Sequence, residues 1–304
     1  MKLNLTYQSF AEIISGEAKL NAPQAKVDVV HYDTRLISRD QNGVFFALKS
    51  HKNGHQFVES AYEKGVRLFV ISEDVDLPND ASTITVENVL SALQQLAKYH
   101  RSRFSYPVLA ITGSVGKTTI KEWLYYLIKD HFSVVRSPKS YNSQLGVALS
   151  LLELDEESNF AIIEADISKP GEMDALEDMI APTLGIYTGV GKFYADNFSS
   201  QKEHHAEHLK LFKHANICFA LEEQASPLRR NKVNADLTTI GQWEAFGIDD
   251  FTFPKNAALV LHVADFLGVH NNELKEKVRE LPVLPNRMEV FEGQNGNLII
   301  NDTY

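Results

Sequence analysis

The chain has 304 residues, of which 44% are hydrophobic and 23% are charged. These values are typical of globular proteins and exclude collagen-like, coiled-coil and disordered classes, and the length suggests two domains of about 150 residues each. The formal net charge is −10, and no basic block is long enough to follow a phosphate backbone, so nucleic acid is not an expected partner.

The N-terminal third shows one β-α-β pattern between two helices. The predicted elements are a helix at 6–15, a strand at 44–48, a helix at 55–64, a strand at 66–71 and a helix at 90–104. Thr6 fits a helix N-cap, Gly16 a helix stop, and Gly65 a helix end with positive φ. The pattern predicts a small α/β domain over residues 1–100.

From Pro107 onward, short continuous apolar runs alternate with helical patterns, which is typical of a parallel sheet covered on both faces. The predicted strands are 108–112, 160–164, 184–188 and 217–221, and the predicted helices lie near 117–130, 143–153, 171–180, 203–214, 256–268 and 271–281. Residues 222–253 have no clear pattern, and the end of the chain predicts a hairpin with a tight primed turn at Asn295-Gly296. The whole predicts a doubly wound domain over residues 101–304.

Cysteine content and hydropathy bear on location. The single cysteine, Cys218, leaves no disulfide framework, which fits a reducing compartment. The N-terminal residues lack the apolar run of a signal peptide, and nowhere do about 18 apolar residues follow one another. The expectation is a cytoplasmic protein without membrane insertion.

Residues 110–119 read AITGSVGKTT between a predicted strand and a predicted helix, as in a phosphate-binding loop. Glycines let successive backbone N–H groups face phosphates at the helix N-terminus. Lys117 would reach the terminal phosphates and Thr118 would offer its hydroxyl to Mg²⁺. The loop residues predicted to bind nucleotide are Gly113, Ser114, Val115, Gly116, Lys117, Thr118 and Thr119. Ile111 stands where the general pattern has glycine, and the alternative is a turn that only joins strand to helix.

The loop TGSVGKTT resembles that of the Mur ligases, and similarity to this family, particularly to its D-alanyl-D-alanine-adding branch and the form fused to an alanine racemase, continues from Asp33 to Tyr304. The resemblance implies transfer of the γ-phosphoryl group of ATP to a carboxylate of a UDP-N-acetylmuramoyl tripeptide, followed by attack of the D-alanyl-D-alanine amine. It implies ATP and Mg²⁺ as cofactors, with Lys117 and Glu164 as the catalytic residues. It also implies a C-terminal domain, separate or fused, that is absent here.

Three segments of the first domain, DTR at 33–35, FFALK at 45–49 and NGHQF at 53–57, resemble family motifs. By that resemblance, the residues that hold the UDP-sugar are Thr34, Arg35, Phe46, Ala47, Asn53, Gly54 and His55. The alternative is a turn and a strand-to-helix connection in which His55 is a cap.

Family motifs near the nucleotide continue at 141–146, which includes Asn142, and around Glu164. A carboxylate at the end of a buried strand, opposite a phosphate loop, suits Mg²⁺, so Glu164 is the predicted ligand with Thr118. Asn256 matches the asparagine that meets the adenine. The alternatives are a solvated strand end for Glu164 and a helix cap for Asn256.

Four residues depart from the family pattern. Gly189 stands where asparagine is expected, Tyr194 where a metal-binding histidine is expected, and His208 where a carbamylated lysine supports the second metal. Asp166 replaces a glycine and is either a substitute metal ligand or an added charge. Because phosphoryl transfer depends on charge stabilisation, these changes predict impaired catalysis.

The sequence leaves two further alternatives open. His204 and His208 have the i, i+4 spacing that can chelate a transition metal, and the alternative is a solvated helix face. For the whole chain, the alternatives to a ligase are a catalytically degenerate module that binds nucleotide and UDP-sugar, and a nucleotide-independent structural partner of a genuine ligase.

Overall fold

The computed structural model describes residues 3–38, 42–191, 197–231, 233–240, 254–269 and 271–303. They form two compact units, the first made of residues 1–105 and 144–156 and the second of 106–143 and 157–304. The helices are α1 (Tyr7–Ile13), α2 (Val58–Glu63), α3 (Val89–Ser102), α4 (Lys117–Ile128), α5 (Gln144–Leu151), α6 (Glu172–Ile180), α7 (Gln201–Leu209), α8 (Ala225–Arg230), α9 (Pro254–Phe266) and α10 (Asn271–Lys277). None of these described helices combines the length and the apolar character that crossing a bilayer requires.

The first unit contains one mixed sheet and one short strand pair. Its strands are β1 (Leu5–Thr6), β2 (Glu17–Lys19), β3 (Lys26–Val27), β4 (Val29–His31), β5 (Gly43–Phe46), β6 (Leu68–Ile71) and β7 (Ser82–Thr85). The sheet order is β2-β7-β6-β5-β4, with β2 antiparallel to β7 and the other pairs parallel, while β1 pairs with β3. The predicted β-α-β pattern is thus confirmed inside a larger sheet.

Aromatic side chains from both faces of this sheet build the core of the first unit. Phe45 packs edge-on against Phe69 with ring centroids 6.5 Å apart, and Phe46 meets Phe10 of α1 at 6.0 Å. Thr6 caps α1 as predicted, because its side chain accepts a hydrogen bond from the Ser9 backbone N–H. These rings fix α1 on one face of the sheet.

The glycines at the two helix ends serve different purposes. Gly65 follows α2 with a φ of +102°, as predicted. At the end of α1 it is Ser15 that has a positive φ, of +53°. A Cβ on Gly16 would lie 2.2 Å from Ile84 Cγ2, so this glycine permits the close approach of the chain to β7.

Helix α5 belongs to the first unit, whereas its position among the later elements suggested that it covers the parallel sheet. It packs against α3, and Gln94 Nε2 donates a 2.7 Å hydrogen bond to Gln144 Oε1. Its buried residues Val147, Ala148 and Leu151 supply the apolar surface for this contact. Sequence order does not reveal which unit such a helix joins, because its apolar face suits either one.

The second unit is built on a six-stranded, fully parallel sheet. Its strands are β8 (Val108–Thr112), β9 (Val134–Arg136), β10 (Phe160–Glu164), β11 (Leu184–Tyr187), β12 (Ile217–Leu221) and β13 (Asp236–Ile240), in the order β13-β12-β11-β8-β10-β9. After β8 the chain builds β9 and β10 on one side and β11 to β13 on the other. The order therefore reverses at β8, and ligands bind at the carboxyl ends of strands at such a point.

The predicted doubly wound fold is confirmed for this unit. All residues of β8 and β10 are buried, which explains their continuous apolar runs. Helices α4 and α9 pack together over the sheet, with Leu124 and Val260 in the shared core. The core thus holds the carboxyl end of β8 and the start of α4 in a fixed position.

The C-terminal hairpin is confirmed as well, with strands β14 (Glu289–Glu292) and β15 (Leu298–Asn301) paired antiparallel. Asn295 and Gly296 have φ values of +64° and +74°, as a primed turn requires. Strand pairing stops at Glu292 and Leu298, so the connection spans residues 293–297 and is longer than the predicted two-residue turn. Within the unpatterned region 222–253, the structure describes α8 and β13, and 241–253 lie outside the described residues.

Candidate nucleotide site

The loop between β8 and α4 has the backbone that a phosphate cradle needs. Gly113 has a φ of +132°, and a Cβ there would lie 2.2 Å from Thr188 Oγ1. Gly116 has a φ of +87° and precedes the first residue of α4. Both positions therefore require glycine, and the free N–H groups of the first turn of α4 lie at the switch point of the sheet.

Two buried hydroxyls near this loop have no hydrogen-bond partner among the described residues: Ser114 Oγ in the loop and Thr188 Oγ1 at the end of β11. Buried donors without partners carry a cost of about 1–3 kcal/mol each, and a bound anion would remove it. The loop thus has the donors for an anionic group.

Lys117 is the first residue of α4, and its side chain is only 7% exposed. The Nζ atom donates a 2.6 Å hydrogen bond to the carbonyl oxygen of Gly113 and lies 2.7 Å from Asp166 Oδ2. The ammonium group therefore folds over the loop, as a lysine that faces terminal phosphates would, but it has a carboxylate partner.

Thr118 and Glu164 are brought together as predicted. Thr118 Oγ1 lies 2.9 Å and 3.1 Å from the two carboxylate oxygens of Glu164, and Asn142 Nδ2 donates to Glu164 Oε1 at 2.8 Å. Glu164 is 1% exposed, so the alternative of a solvated strand end is wrong. A hydroxyl and a carboxylate are hard oxygen donors that fit Mg²⁺. Arg287 also contacts this group, since its Nη2 donates a 3.0 Å hydrogen bond to Thr118 Oγ1.

Lys121, which the sequence did not single out, lies beside the predicted metal ligand Glu164. It is fully buried on α4, its Nζ donates to the carbonyl oxygens of Ser137 (2.7 Å) and Lys139, and it lies 3.8 Å from Glu164 Oε2. Burial lowers its pKa, opposed by the charges of Glu164 and Glu122. The available signal was a lysine four residues after Lys117, on the same face of the helix.

Gly189 lies beside the phosphate loop. Its carbonyl oxygen accepts a 2.8 Å hydrogen bond from the backbone N–H of Ser114, and its φ is +81°. Gln224 Nε2 donates to the carbonyl oxygen of Thr188 at 2.7 Å and holds the same turn. Tyr194, the other departure in this segment, lies outside the described residues.

His208 lies below the phosphate loop and is fully buried. Its Nδ1 atom is 2.7 Å from Thr112 Oγ1, and its Nε2 atom is 3.2 Å from Nε2 of His204. Burial, together with the nearby positive charges that His204 and Lys117 can carry, lowers the pKa of His208 to about 2. The imidazole is therefore neutral and cannot supply the negative charge of a carbamylated lysine.

The interpretation of the His204–His208 pair as a solvated helix face is wrong. His204 is 2% exposed and stacks on Phe198 with ring centroids 4.1 Å apart, and burial lowers its pKa. His205 on the same helix contacts the hydroxyl of buried Tyr187. Within the residues that the structure describes, no group of three or more His, Cys, Asp or Glu side chains is arranged for a metal ion. The cluster is a buried polar network.

Asn256 lies in the first turn of α9, next to the phosphate loop. A Cβ on Gly116 would be 3.1 Å from Asn256 Nδ2. The structure thus places this amide beside the start of α4, where a nucleotide bound in the loop would pass. Contact with an adenine remains a prediction.

The first unit has its own cavity of about 590 Å³, which includes Thr34, Arg35 and Gly54 of the predicted set. Lys49, His51 and Lys52 add basic groups that the sequence prediction did not include. A Cβ on Gly54 would lie 2.5 Å from the carbonyl oxygen of Leu48, so this position requires glycine. The cavity suits an anionic ligand.

The other predicted sugar-site residues do not line that cavity. Phe46 and Ala47 are fully buried in and after β5. His55 accepts a 2.9 Å hydrogen bond at Nε2 from the Ser72 N–H, so its Nδ1 proton faces Asn53 Oδ1 at 2.7 Å, and burial lowers its pKa. Asn53 and His55 thus brace the loop, but the cap is Asn53, whose side chain accepts a hydrogen bond from the His55 N–H, so the alternative that makes His55 the cap is wrong. Ligand contact by these residues remains a prediction.

Comparison with known proteins bears on the class of this chain. The family model described as Mur ligase middle domain matches residues 111–249, the stretch that begins in β8 and includes the phosphate loop. The comparison therefore shows similarity to the Mur ligase middle domain, mostly within the second unit.

Among its relatives is the UDP-N-acetylmuramoyl-tripeptide--D-alanyl-D-alanine ligase of Bacillus subtilis, which is 26% identical over 98% of this chain and 72% of its own length. The ligase of the same name from Synechocystis is 35% identical over 55% of this chain and 37% of its own length.

Solved structures show the same fold. MurF from Acinetobacter baumannii superimposes with a TM-score of 0.86 at 20% identity, over 100% of this chain and 74% of the other. MurF from Thermotoga maritima in complex with ADP gives a TM-score of 0.76 at 22% identity, over 92% of this chain and 71% of the other.

Proposed function

We propose that this chain is a Mur-type ligase that uses ATP to join D-alanyl-D-alanine to a UDP-N-acetylmuramoyl tripeptide in peptidoglycan synthesis. The observation that carries the proposal is the phosphate loop of the second unit, with Lys117 folded over it and Thr118 beside Glu164. The printed activity of the Bacillus subtilis and Synechocystis relatives supports the choice of substrates.

In this proposal, ATP lies with its phosphates on the loop between Gly113 and Thr119. The backbone N–H groups at the start of α4 and the ammonium of Lys117 bind the phosphates and orient the terminal one. Thr118 and Glu164 would hold Mg²⁺, which neutralises charge on the transferred phosphoryl group when it is bound. Asn142 fixes the carboxylate of Glu164 through its 2.8 Å hydrogen bond.

We propose the first unit as the site of the UDP-sugar. Arg35, Lys49, His51 and Lys52 line one cavity there, and such a set suits a pyrophosphate group. Asp33 holds Arg35 through hydrogen bonds of 2.6 Å and 2.9 Å, which pre-orients its guanidinium. Since the aligned regions leave part of the relatives' length unmatched, the proposal includes a C-terminal domain, separate or fused, as a partner.

A second candidate function is a module that binds nucleotide and UDP-sugar without ligation. The specific observation in its favour is His208, a neutral buried imidazole bonded to Thr112 and His204 where the family pattern has a carbamylated lysine. Without that negative group, the second metal of the family pattern loses its support, whereas the phosphate loop is intact.

One assay separates the two candidates. The chain is incubated with UDP-N-acetylmuramoyl tripeptide, D-alanyl-D-alanine and Mg-ATP, alone and with the C-terminal domain of the Bacillus subtilis relative added, and the pentapeptide product is measured by mass spectrometry. Product formation that Lys117→Ala abolishes is the expected result for a ligase. Binding of both ligands without product in either arm supports the second candidate, and absence of binding refutes both.

A further inference from the structure

Asp166 forms an ion pair with the ammonium group of Lys117, the group that the phosphate loop would offer to a nucleotide. We propose that Asp166 sets the nucleotide affinity of this chain: its carboxylate is an internal occupant of the Lys117 site and must be displaced by the terminal phosphates. The inference rests on the proposed nucleotide site and adds a residue that determines its affinity.

Two contacts hold this carboxylate, and a third holds the backbone of the same residue. Oδ2 lies 2.7 Å from Lys117 Nζ, Oδ1 accepts a 2.9 Å hydrogen bond from the Ile167 N–H, and the Asp166 N–H donates to the Asn142 carbonyl oxygen at 2.9 Å. The Asp166 side chain is 22% exposed and that of Lys117 is 7% exposed. The pair is therefore partly shielded from solvent, where ion pairs are stronger than on an open surface.

The charges explain why the pair opposes nucleotide binding. Lys117 is the cation that would face the terminal phosphates, and it also donates to Gly113 O at 2.6 Å. A triphosphate that reaches this ammonium must break the contact with Asp166 and then lies close to an unpaired carboxylate. Both the lost ion pair and the like-charge repulsion reduce affinity. The Gly113 contact alone would not carry this cost, because a carbonyl oxygen has no net charge.

The position of the residue supports an effect on the ligand rather than on the fold alone. Asp166 follows β10, whose last residue is the predicted metal ligand Glu164, so it lies at the carboxyl edge of the sheet where ligands bind. Its carboxylate has no arginine partner among the described contacts, and its ion pair there is with Lys117. Replacement by asparagine keeps the size and the Oδ1 acceptor for Ile167 while it removes the charge.

The test compares wild type, Asp166→Asn and Lys117→Ala by calorimetric titration with ATP, once with Mg²⁺ and once with EDTA. Asp166→Asn is expected to bind ATP about tenfold more tightly than wild type in both conditions, a gain of about 1.4 kcal/mol. The same variant is expected to unfold at lower urea concentration without ligand, because it has lost an ion pair. A purely structural role would lower stability without raising affinity.

Three results would overturn the proposal. Equal ATP affinity of wild type and Asp166→Asn would show that the carboxylate does not compete with phosphate. A loss of affinity in Asp166→Asn that occurs only with Mg²⁺ would make Asp166 a metal ligand. If Lys117→Ala abolishes ATP binding in either of these two cases, the proposed nucleotide site stands and only the role of Asp166 is refuted. If no folded variant binds ATP, both the role of Asp166 and the nucleotide site are refuted.

Discussion

The buried imidazole of His208 predicts a specific dependence of stability on pH. Its pKa in the folded protein is about 2, against 6.5 in an unfolded chain. Between these values the unfolded state binds a proton that the folded state does not, so the free energy of unfolding falls as the pH falls below about 6.5. The contribution is fully present above that pH.

The size of the effect follows from linkage. Each pH unit below the unfolded pKa costs about 1.4 kcal/mol per such histidine, so acidification from about pH 7.5 to about pH 5.5 removes about 1.4 kcal/mol through His208. This loss of stability does not depend on the exact pKa of His208 in the folded protein, provided that this pKa is below about 4. His208→Gln removes the titration of this residue, and the histidines that do not contact His208 contribute equally to both proteins.

The assay is urea unfolding at the two pH values, followed by tryptophan fluorescence, to which Trp123 in the core of the second unit contributes. Wild type is expected to lose about 1.4 kcal/mol more than His208→Gln on acidification. His51→Gln, at an exposed position, is the control and should behave as wild type. Equal losses in wild type and His208→Gln would refute the assignment of a neutral, buried His208 below the phosphate loop.

Three further substitutions test the loop and its supports. Gly113→Ala places a Cβ 2.2 Å from Thr188 Oγ1, so ATP affinity should fall more than about tenfold in calorimetry; wild-type affinity would contradict the loop geometry. Lys121→Met leaves buried Glu164 without its cation and should cost about 3–5 kcal/mol in urea unfolding, whereas the exposed control Lys129→Met should cost less than about 1 kcal/mol. An equal cost for both would refute the role of Lys121. Glu164→Gln should reduce the gain in ATP affinity on adding Mg²⁺ at least tenfold, measured with and without EDTA; an unchanged gain would exclude Glu164 as the ligand.

The sequence predicted the bounds of secondary-structure elements best where the elements are fully buried, because burial leaves few alternatives. Strands 108–112, 160–164 and 217–221 were placed with the bounds that the structure shows, because continuous apolar runs of that length have few alternatives in an α/β chain. The phosphate loop was equally readable, since its glycines are required by φ and by the approach of Thr188 to Gly113.

The remaining elements carry weaker local signals. Strand β13 includes Asp236 and two threonines at an edge of the sheet, so its sequence reads as polar loop. Strands β2, β3 and β4 have three residues or fewer, too few for a period to appear. Helix α5 was predicted, but its membership of the first unit depends on tertiary contact with α3.

Within the candidate site, the sequence motifs identified individual residues better than the hydrogen bonds and ion pairs that those residues make. Thr118 and Glu164 lie together as expected, but the ion pair of Lys117 with Asp166 joins residues 49 positions apart and leaves no trace in local sequence. The burial of His204 and His208 was misjudged, because histidine occurs both on helix surfaces and in cores when its nitrogens find partners.

Nucleotide binding at the loop between β8 and α4 is tested by calorimetric titration of Mg-ATP into wild type, Lys117→Ala and Lys213→Ala, the last an exposed lysine of the same unit. Lys117→Ala is expected to weaken binding at least tenfold, or by about 1.4 kcal/mol, while Lys213→Ala binds as wild type does. Equal affinity of Lys117→Ala and wild type would show that the loop between β8 and α4 is not the nucleotide site.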